Sequence, residues 1–476
     1  MTSGSPRTRH CRGAAAGALA LLAVLLAPGP ALGALKVSFI QPQHGAAVQG
    51  RCQVVLATSD GQAQRVSVEA AGIPLRLQAA PATFTWDSSG LVNGEYELAA
   101  SAVGEGGRAY AVIRVQVQNP TQEQLRAALG LYFTGKANQG RAALKKLAAS
   151  WPGTQLGALA QQVLARGLPA PDGPRCLQGY QLSPAKEWWA AYTVTVRNQG
   201  KQKVSGASLV CSFLGDHQPD QVVQVYRTSP LPSQTSRLPD GAPVLHFALG
   251  VLAPGEAREV RIVYRLLLAT VEYAVAQAPA GHWEGLSLLD YCRFTAPERM
   301  LEAEAPEMRA KAAELCQGRT TPAAAAAAIS EFVTKHCVTE GDRMALTALE
   351  ALRTGRAVCQ GQSDLFVALC RAAGIPAQTV HGPCLGEPGT AAQDRFPTWH
   401  QWAEVYLPGQ GWVPWEYGLG KKGNWHGHFW LSPCLPGAQA IPPFHWKVVG
   451  VTPTQARAVQ ARVHFRIGPE AQQAVP

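Results

Sequence analysis

Strict alternation of apolar and polar residues marks two separate stretches of the chain, and helical spacing marks two others. Between 34 and 119, Ile113, Val115 and Val117 alternate with Arg114, Gln116 and Gln118, the period of a strand with one face in water. Cys52, Val54 and Leu56 repeat it, and Tyr96 and Leu98 follow an Asn93-Gly94 pair suited to a hairpin turn. These patterns predict an all-β sandwich over 34–119. The period changes over 120–168. Leu125, Leu129 and Tyr132 recur at i, i+4 and i+7, as do Leu144, Leu147 and Trp151, and then Leu156, Leu159 and Val163. This predicts a short helical spacer, broken at Pro152-Gly153 and packed on a neighbour.

Residues 169–175, rich in Pro and Gly, read as a linker. Strand period returns over 176–280. Val260, Ile262, Tyr264 and Leu266 alternate with Glu259, Arg261 and Arg265, and Tyr192, Val194 and Val196 give a second strand of a second sandwich. Residues 281–450 mix both periods. Thr321 before Pro322 is an N-cap followed by proline at the first helical position, and the alanines at 323–328 favour a helix with Ile329, Phe332 and Val333 on its apolar side. Residues 451–476 hold a last strand, where Val463, Phe465 and Ile467 alternate with His464 and Arg466. The expected fold is multidomain: two all-β sandwiches, a helical spacer and a C-terminal α+β domain.

The first 33 residues change the reading of charge. Arg7, Arg9 and Arg12 precede an apolar run from Ala14 to Ala27, and Ala31-Leu32-Gly33 offers small residues for cleavage. The segment 1–33 has the layout of a signal peptide, and its apolar run, Ala14 to Ala27, is too short for a bilayer crossing, which takes about 20 residues. The expected location is therefore outside the cytoplasm: periplasmic, cell-envelope or secreted, with no stable membrane insertion after cleavage. Loss of the leader lowers the formal charge from +10 to +7. The remaining basic residues are scattered along the chain without interleaved aromatics, so no nucleic-acid partner is expected. Ten cysteines remain after Cys11 departs, at 52, 176, 211, 292, 316, 337, 359, 370, 384 and 434. An exported chain is free to pair them. If one serves as a nucleophile, nine are left, and at least one more must stay free. No spacing suggests a zinc site, and no cofactor is implied.

Three segments carry candidate chemistry. Cys359 precedes a helical pattern in which Leu365, Leu369 and Ala372 share a face, ended by Gly374 and Pro376. A cysteine at a helix N-terminus is stabilised as a thiolate by unpaired N–H groups and the helix dipole. His400 and Trp402 alternate with Gln401 and Ala403 along an expected strand, and Pro408-Gly409-Gln410-Gly411 turns it into a returning segment, Trp412-Val413-Pro414-Trp415-Glu416. A base accepts a thiol proton best when its other nitrogen is oriented by a carboxylate. Glu416 shares a sheet face with His400 only if paired residue numbers have an even sum. That requires a three- or five-residue loop, or a bulge.

Taken together, Cys359, then Arg371-Ala372-Ala373-Gly374-Ile375-Pro376-Ala377, then His400-Gln401-Trp402-Ala403-Glu404-Val405-Tyr406, and finally Gly411-Trp412-Val413 with Glu416 resemble the transglutaminase-like superfamily of papain-like thiol enzymes. The resemblance covers roughly 290–450. It implies a catalytic set of Cys359, His400 and Glu416, with no cofactor and no metal. It implies acyl transfer or hydrolysis at protein or peptide amides through a Cys359 thioester, with the Cys359 backbone N–H as one oxyanion donor. Two features depart from the family pattern: Glu416 stands where Asp is usual, and Gln360-Gly361-Gln362 stands where an acidic residue commonly follows the cysteine. Both bear on substrate choice and on activity. The stretch from Pro42 through Trp86 to Asn93-Gly94-Glu95-Tyr96 resembles bacterial immunoglobulin-like domains, the helical spacer is tetratricopeptide-like, and Phe247 to Glu256 is similar to β-domains that precede transglutaminase-like domains.

A second function class fits the same domain plan, a non-catalytic envelope binding or scaffold protein. It predicts a bridged or inaccessible Cys359 and a His400 out of hydrogen-bond reach. The tryptophans at 399, 402, 412, 415, 425, 430 and 446 read mainly as core, with a peptide groove as the alternative. His426 and His428 read as ordinary histidines, since no third ligand lies at suitable spacing.

Overall fold

The computed structural model describes residues 35–59, 63–70, 73–78, 82–104, 107–168, 180–212, 214, 216, 220–237, 243–269, 271–273, 283, 285–339, 345–384, 398–416, 421–422, 432–434, 446–468 and 471. The expected leader at 1–33, the linker at 169–175 and the pair His426 and His428 lie outside the described residues. Among the described residues no helix is long and apolar enough to cross a membrane. The chain divides into two compact units.

The first unit comprises residues up to 129, 138–165 and 279–292. A three-stranded sheet of Val37–Gln41, Arg51–Thr58 and Ala82–Asp87 faces a five-stranded sheet that includes Ala63–Ala70, Gly94–Gly104 and Gly107–Val117. Alternation sends Val54, Leu56, Phe84 and Trp86 of one sheet and Val66, Leu98, Val115 and Val117 of the other into a shared core. The segment leading into the helices is hydrogen-bonded to this core. Asn119, buried just before the helix Thr121–Phe133, accepts from the Gly50 N–H at 2.9 Å and donates to the Ser88 carbonyl at 2.7 Å. Leu125 and Leu129 are buried as their spacing predicts, whereas Tyr132 is 37% exposed.

The second unit contains two four-stranded sheets and the α+β region. Lys186–Asn198 lies between Ala257–Leu268 and Val459–Ile467, and Val204–Ser212 lies between Pro243–Leu252 and Trp446–Val449. The two sheets share a core of Tyr192, Val194, Val196, Leu209, Phe247, Ile262, Phe465 and Ile467. This β-layer is therefore closed by strands that follow the α+β region in sequence. The alternating pattern identifies such a strand, but it carries no address for the strand's partner.

The α+β region places four helices, Pro306–Cys316, Pro322–His336, Ala348–Thr354 and Cys359–Ala372, beside a sheet ordered Lys421–Lys422, Gly411–Glu416, Thr398–Leu407, Ala377–Cys384, Ser432–Cys434. The Thr321 hydroxyl accepts from the Ala324 N–H at 3.1 Å and Pro322 opens the helix, as the sequence predicts. The helix Cys359–Ala372 packs against the other three helices and the strands at 377–384 and 398–407.

Candidate active site

From Ser363 to Arg371 the helix that begins at Cys359 is buried on every side rather than amphipathic, whereas Gln360 in its first turn is exposed. Leu365, Phe366, Val367, Ala368 and Leu369 are fully buried, and so are the polar Ser363, Asp364 and Arg371. Val358 precedes it without a side-chain cap, so its first N–H groups keep their capacity for an anion. Gly374, with φ of 75°, ends it in the left-handed conformation, and its N–H donates to the Arg371 carbonyl at 2.9 Å. Arg371 pins that end: its Nε donates to the Ala377 carbonyl at 2.9 Å, and one guanidinium nitrogen reaches Ala296 O at 2.9 Å and Glu298 Oε1 at 2.6 Å.

His400 sits near the start of the strand Thr398–Leu407, half-buried, its ring stacked with Trp402 at 6.1 Å between centroids. The hairpin that follows has a three-residue loop, 408–410. Gly409 and Gly411 both have positive φ, and the Gln410 N–H donates back to the Leu407 carbonyl at 3.0 Å. Leu407 pairs with Gly411 and Ala403 with Trp415, so every pair has an even sum, as the expected shared face for His400 and Glu416 requires. The same parity puts position 416 on the face of the sheet that carries His400, and the Glu416 side chain lies outside the described residues.

Electrostatics separate Cys359 from the other thiols. Burial pushes its pKa up, but hydrogen bonding from the His400 side chain, with the backbone N–H groups of Gln401 and Gln360 and the His400 charge, outweighs burial and leaves it below the ordinary value. Seven cysteines are free among the described residues. Desolvation raises the other six, at 52, 211, 292, 316, 337 and 370. Structural thiols behave in that way, and a depressed thiol at a helix N-terminus beside imidazole is the environment of a nucleophile.

A second set of contacts holds the two halves of the site together. The Gln401 side chain donates to Asp364 Oδ1 at 2.7 Å and to the Gln360 carbonyl at 3.4 Å, while the Ser363 hydroxyl donates to the Gln401 carbonyl at 2.9 Å. The residue after His400 is thus tied at three points to the first turns of the Cys359 helix. Burial, with Glu298 and Glu302 nearby, pushes the Asp364 pKa up to about 8 against the opposing Gln401 bond and Arg371. Sequence reasoning missed Ser363, Asp364 and Gln401 because polar residues at these positions look like the wet side of an amphipathic helix or strand. Glu404 was quoted only as part of a motif; it is fully buried and accepts from Gln378 at 2.6 Å.

Trp402, Trp412 and Trp415 pack as core. Trp415 stacks on Phe366 at 5.9 Å, and Trp412 meets Phe294 edge-on at 4.6 Å. The side chains at 399, 425, 430 and 446 lie outside the described residues. Among the described residues no cluster of His, Cys, Asp and Glu is arranged to hold a metal ion.

Residues 309–417 match the model of the transglutaminase-like superfamily, and this part of the chain is a transglutaminase-like domain. Cys359, His400 and Glu416 all lie within the matched span. No curated protein matches the chain. Similar solved structures include one from Cytophaga hutchinsonii described as a "Putative Cysteine Protease", with 13% identity over 61% of this chain and 92% of that one, and a TM-score of 0.42. A second, from Parabacteroides distasonis and described as a "Putative Protease", shares 11% identity over 88% of this chain and 70% of that one, at a TM-score of 0.20. The family is, in general, one of papain-like cysteine enzymes.

Proposed function

We propose that the domain is a thiol enzyme that opens protein or peptide amides. The observation that carries this reading is the placement of the Cys359 sulfur against the His400 side chain and two backbone N–H groups, which lowers its pKa while the six other free thiols among the described residues are pushed the opposite way. The Cys359 thiolate attacks the amide carbonyl and forms a C–S bond. Protonated His400 gives its proton to the nitrogen as the C–N bond breaks, and the amine leaves. Water or a second amine then attacks the thioester. His400 takes the proton from the attacking group, and the thiolate leaves with its electron pair. The backbone N–H of Cys359 serves the oxyanion. Glu416 orients the imidazole from the shared sheet face that the hairpin register supports. The chain acts after export, in the envelope or outside the cell.

Amidase turnover and amine incorporation, measured with and without a primary amine for wild type, Cys359→Ala and His400→Ala, test the proposal. Wild-type activity lost in both variants is the expected outcome. Activity unchanged in Cys359→Ala contradicts it. Cys359 labelling no faster than an exposed thiol, with no turnover, favours the scaffold reading.

A further inference from the structure

Basic residues that look scattered in the sequence meet on one face of the second unit. The strands Ala257–Leu268, Lys186–Asn198 and Val459–Ile467 lie side by side. Register aligns Arg462 with Thr195 and Glu259, and His464 with Thr193 and Arg261; Gln460 pairs with Arg197. Strand alternation sends these residues to the face opposite the core, and together with Arg466 they line a groove of about 860 Å³. Four guanidinium groups stand there against one carboxylate, Glu259, which is already engaged by Arg261. Arg462 and Arg466 are exposed and meet no carboxylate among the described residues. At the end of this face beyond Arg466 the chain turns back, with the Gly468 N–H donating to the Trp189 carbonyl at 2.9 Å, and buries Ala471 against Ala191, Val263 and Trp189. The charged rows begin where this apolar cover stops.

We propose that this groove binds an anionic polysaccharide, a chain of hydroxyl-rich sugars bearing carboxylates. Three observations select that chemistry. The uncompensated arginines match carboxylates in charge and in planar, paired N–H geometry. Beside the arginines, His464 and Val463, the lining offers neutral hydroxyls and amides, Thr193, Thr195, Gln199 and Gln460, suited to sugar hydroxyls. No Phe, Tyr or Trp, the side chains on which nucleic-acid bases stack best, lines the groove. The site uses none of the residues around Cys359, and its failure would leave the proposed chemistry untouched.

Binding of the full chain to polygalacturonate, measured by affinity electrophoresis beside neutral dextran and a single-stranded oligonucleotide, tests the proposal. The expected result is salt-sensitive retention by polygalacturonate, none by dextran and weaker retention by the oligonucleotide. Arg462→Ala with Arg466→Ala should weaken retention about tenfold or more with an unchanged thermal melt, because both changes remove charge-assisted, paired N–H donors. Arg108→Ala, a change of an exposed arginine in the other unit, should leave it unaltered. No wild-type retention by polygalacturonate overturns the proposal, as does equal retention of wild type and the double variant. Equal or tighter retention by the oligonucleotide overturns it in favour of a general polyanion surface. If the double variant fails to fold, Thr195→Val is substituted, and undiminished retention there overturns the assignment of sugar hydroxyls.

Discussion

Two sheets in the second unit treat polar residues in opposite ways. The sheet carrying His400 is covered on both sides over its central strands: Gln401 and Trp415 turn toward Asp364 and Phe366 in the body of the helix Cys359–Ala372, while Trp402, Glu404 and Trp412 are buried on the other face. The sheet closed by Val459–Ile467 is covered on one face, and Gln460, Arg462, His464 and Arg466 stand in water on the other. Burial makes an unpaired polar group costly, so in the first sheet Gln401, Gln378 and Glu404 are there because hydrogen bonds hold them. In the second, alternation alone accounts for a charged residue, and only its neighbours across the strands give it meaning.

The comparison is broken most severely at the sulfur. Cys359→Ala should reduce amide turnover by about a thousandfold or more, since no other described thiol has a lowered pKa. His400→Ala should cost about 10²- to 10⁴-fold in turnover, the usual range for general acid–base catalysis. Trp415→Ala tests the packing beneath the site. Trp415 is buried against Phe366, and truncation should cost about 3–5 kcal/mol in chemical denaturation.

Asp364 sharpens the comparison at a smaller scale. Its folded pKa is raised, to about 8, so its protonated form is favoured by folding. The associated stability is complete below the ordinary carboxyl pKa and is lost as pH rises through about 8. Asp364→Asn should flatten the fall in stability between roughly pH 4 and pH 8. Gln401→Ala removes the side chain that joins Asp364 to the strand next to His400 and should cost about 1–3 kcal/mol of stability. A melt of Gln401→Ala equal to that of wild type at every pH would show that these buried contacts hold nothing.

Legibility in the sequence followed the same divide. The parity of the hairpin could be read, because a face shared by His400 and Glu416 restricts the loop to three residues, five residues or a bulge, and a three-residue loop is what forms. The helix start at Thr321 and the position of Cys359 at a helix N-terminus were equally plain, since both are local signals. Contacts between distant segments were not. Asp364 and Gln401 are polar residues in patterns that allow a wet face, and only the fold covers them. The strand at 459–467 was visible as alternation, but its pairing with 186–198 was not. The same distance hid the arginine groove: 197, 261, 462 and 466 fall on three strands widely separated along the chain.

The measurement closest to the central claim is the pH dependence of Cys359 alkylation by a small thiol electrophile, followed by mass spectrometry in wild type and His400→Ala. The account predicts that the wild-type rate reaches half its maximum below the ordinary thiol pKa, and that His400→Ala moves this midpoint upward. Coincident profiles for the two proteins, with a midpoint at or above the ordinary value, would contradict it.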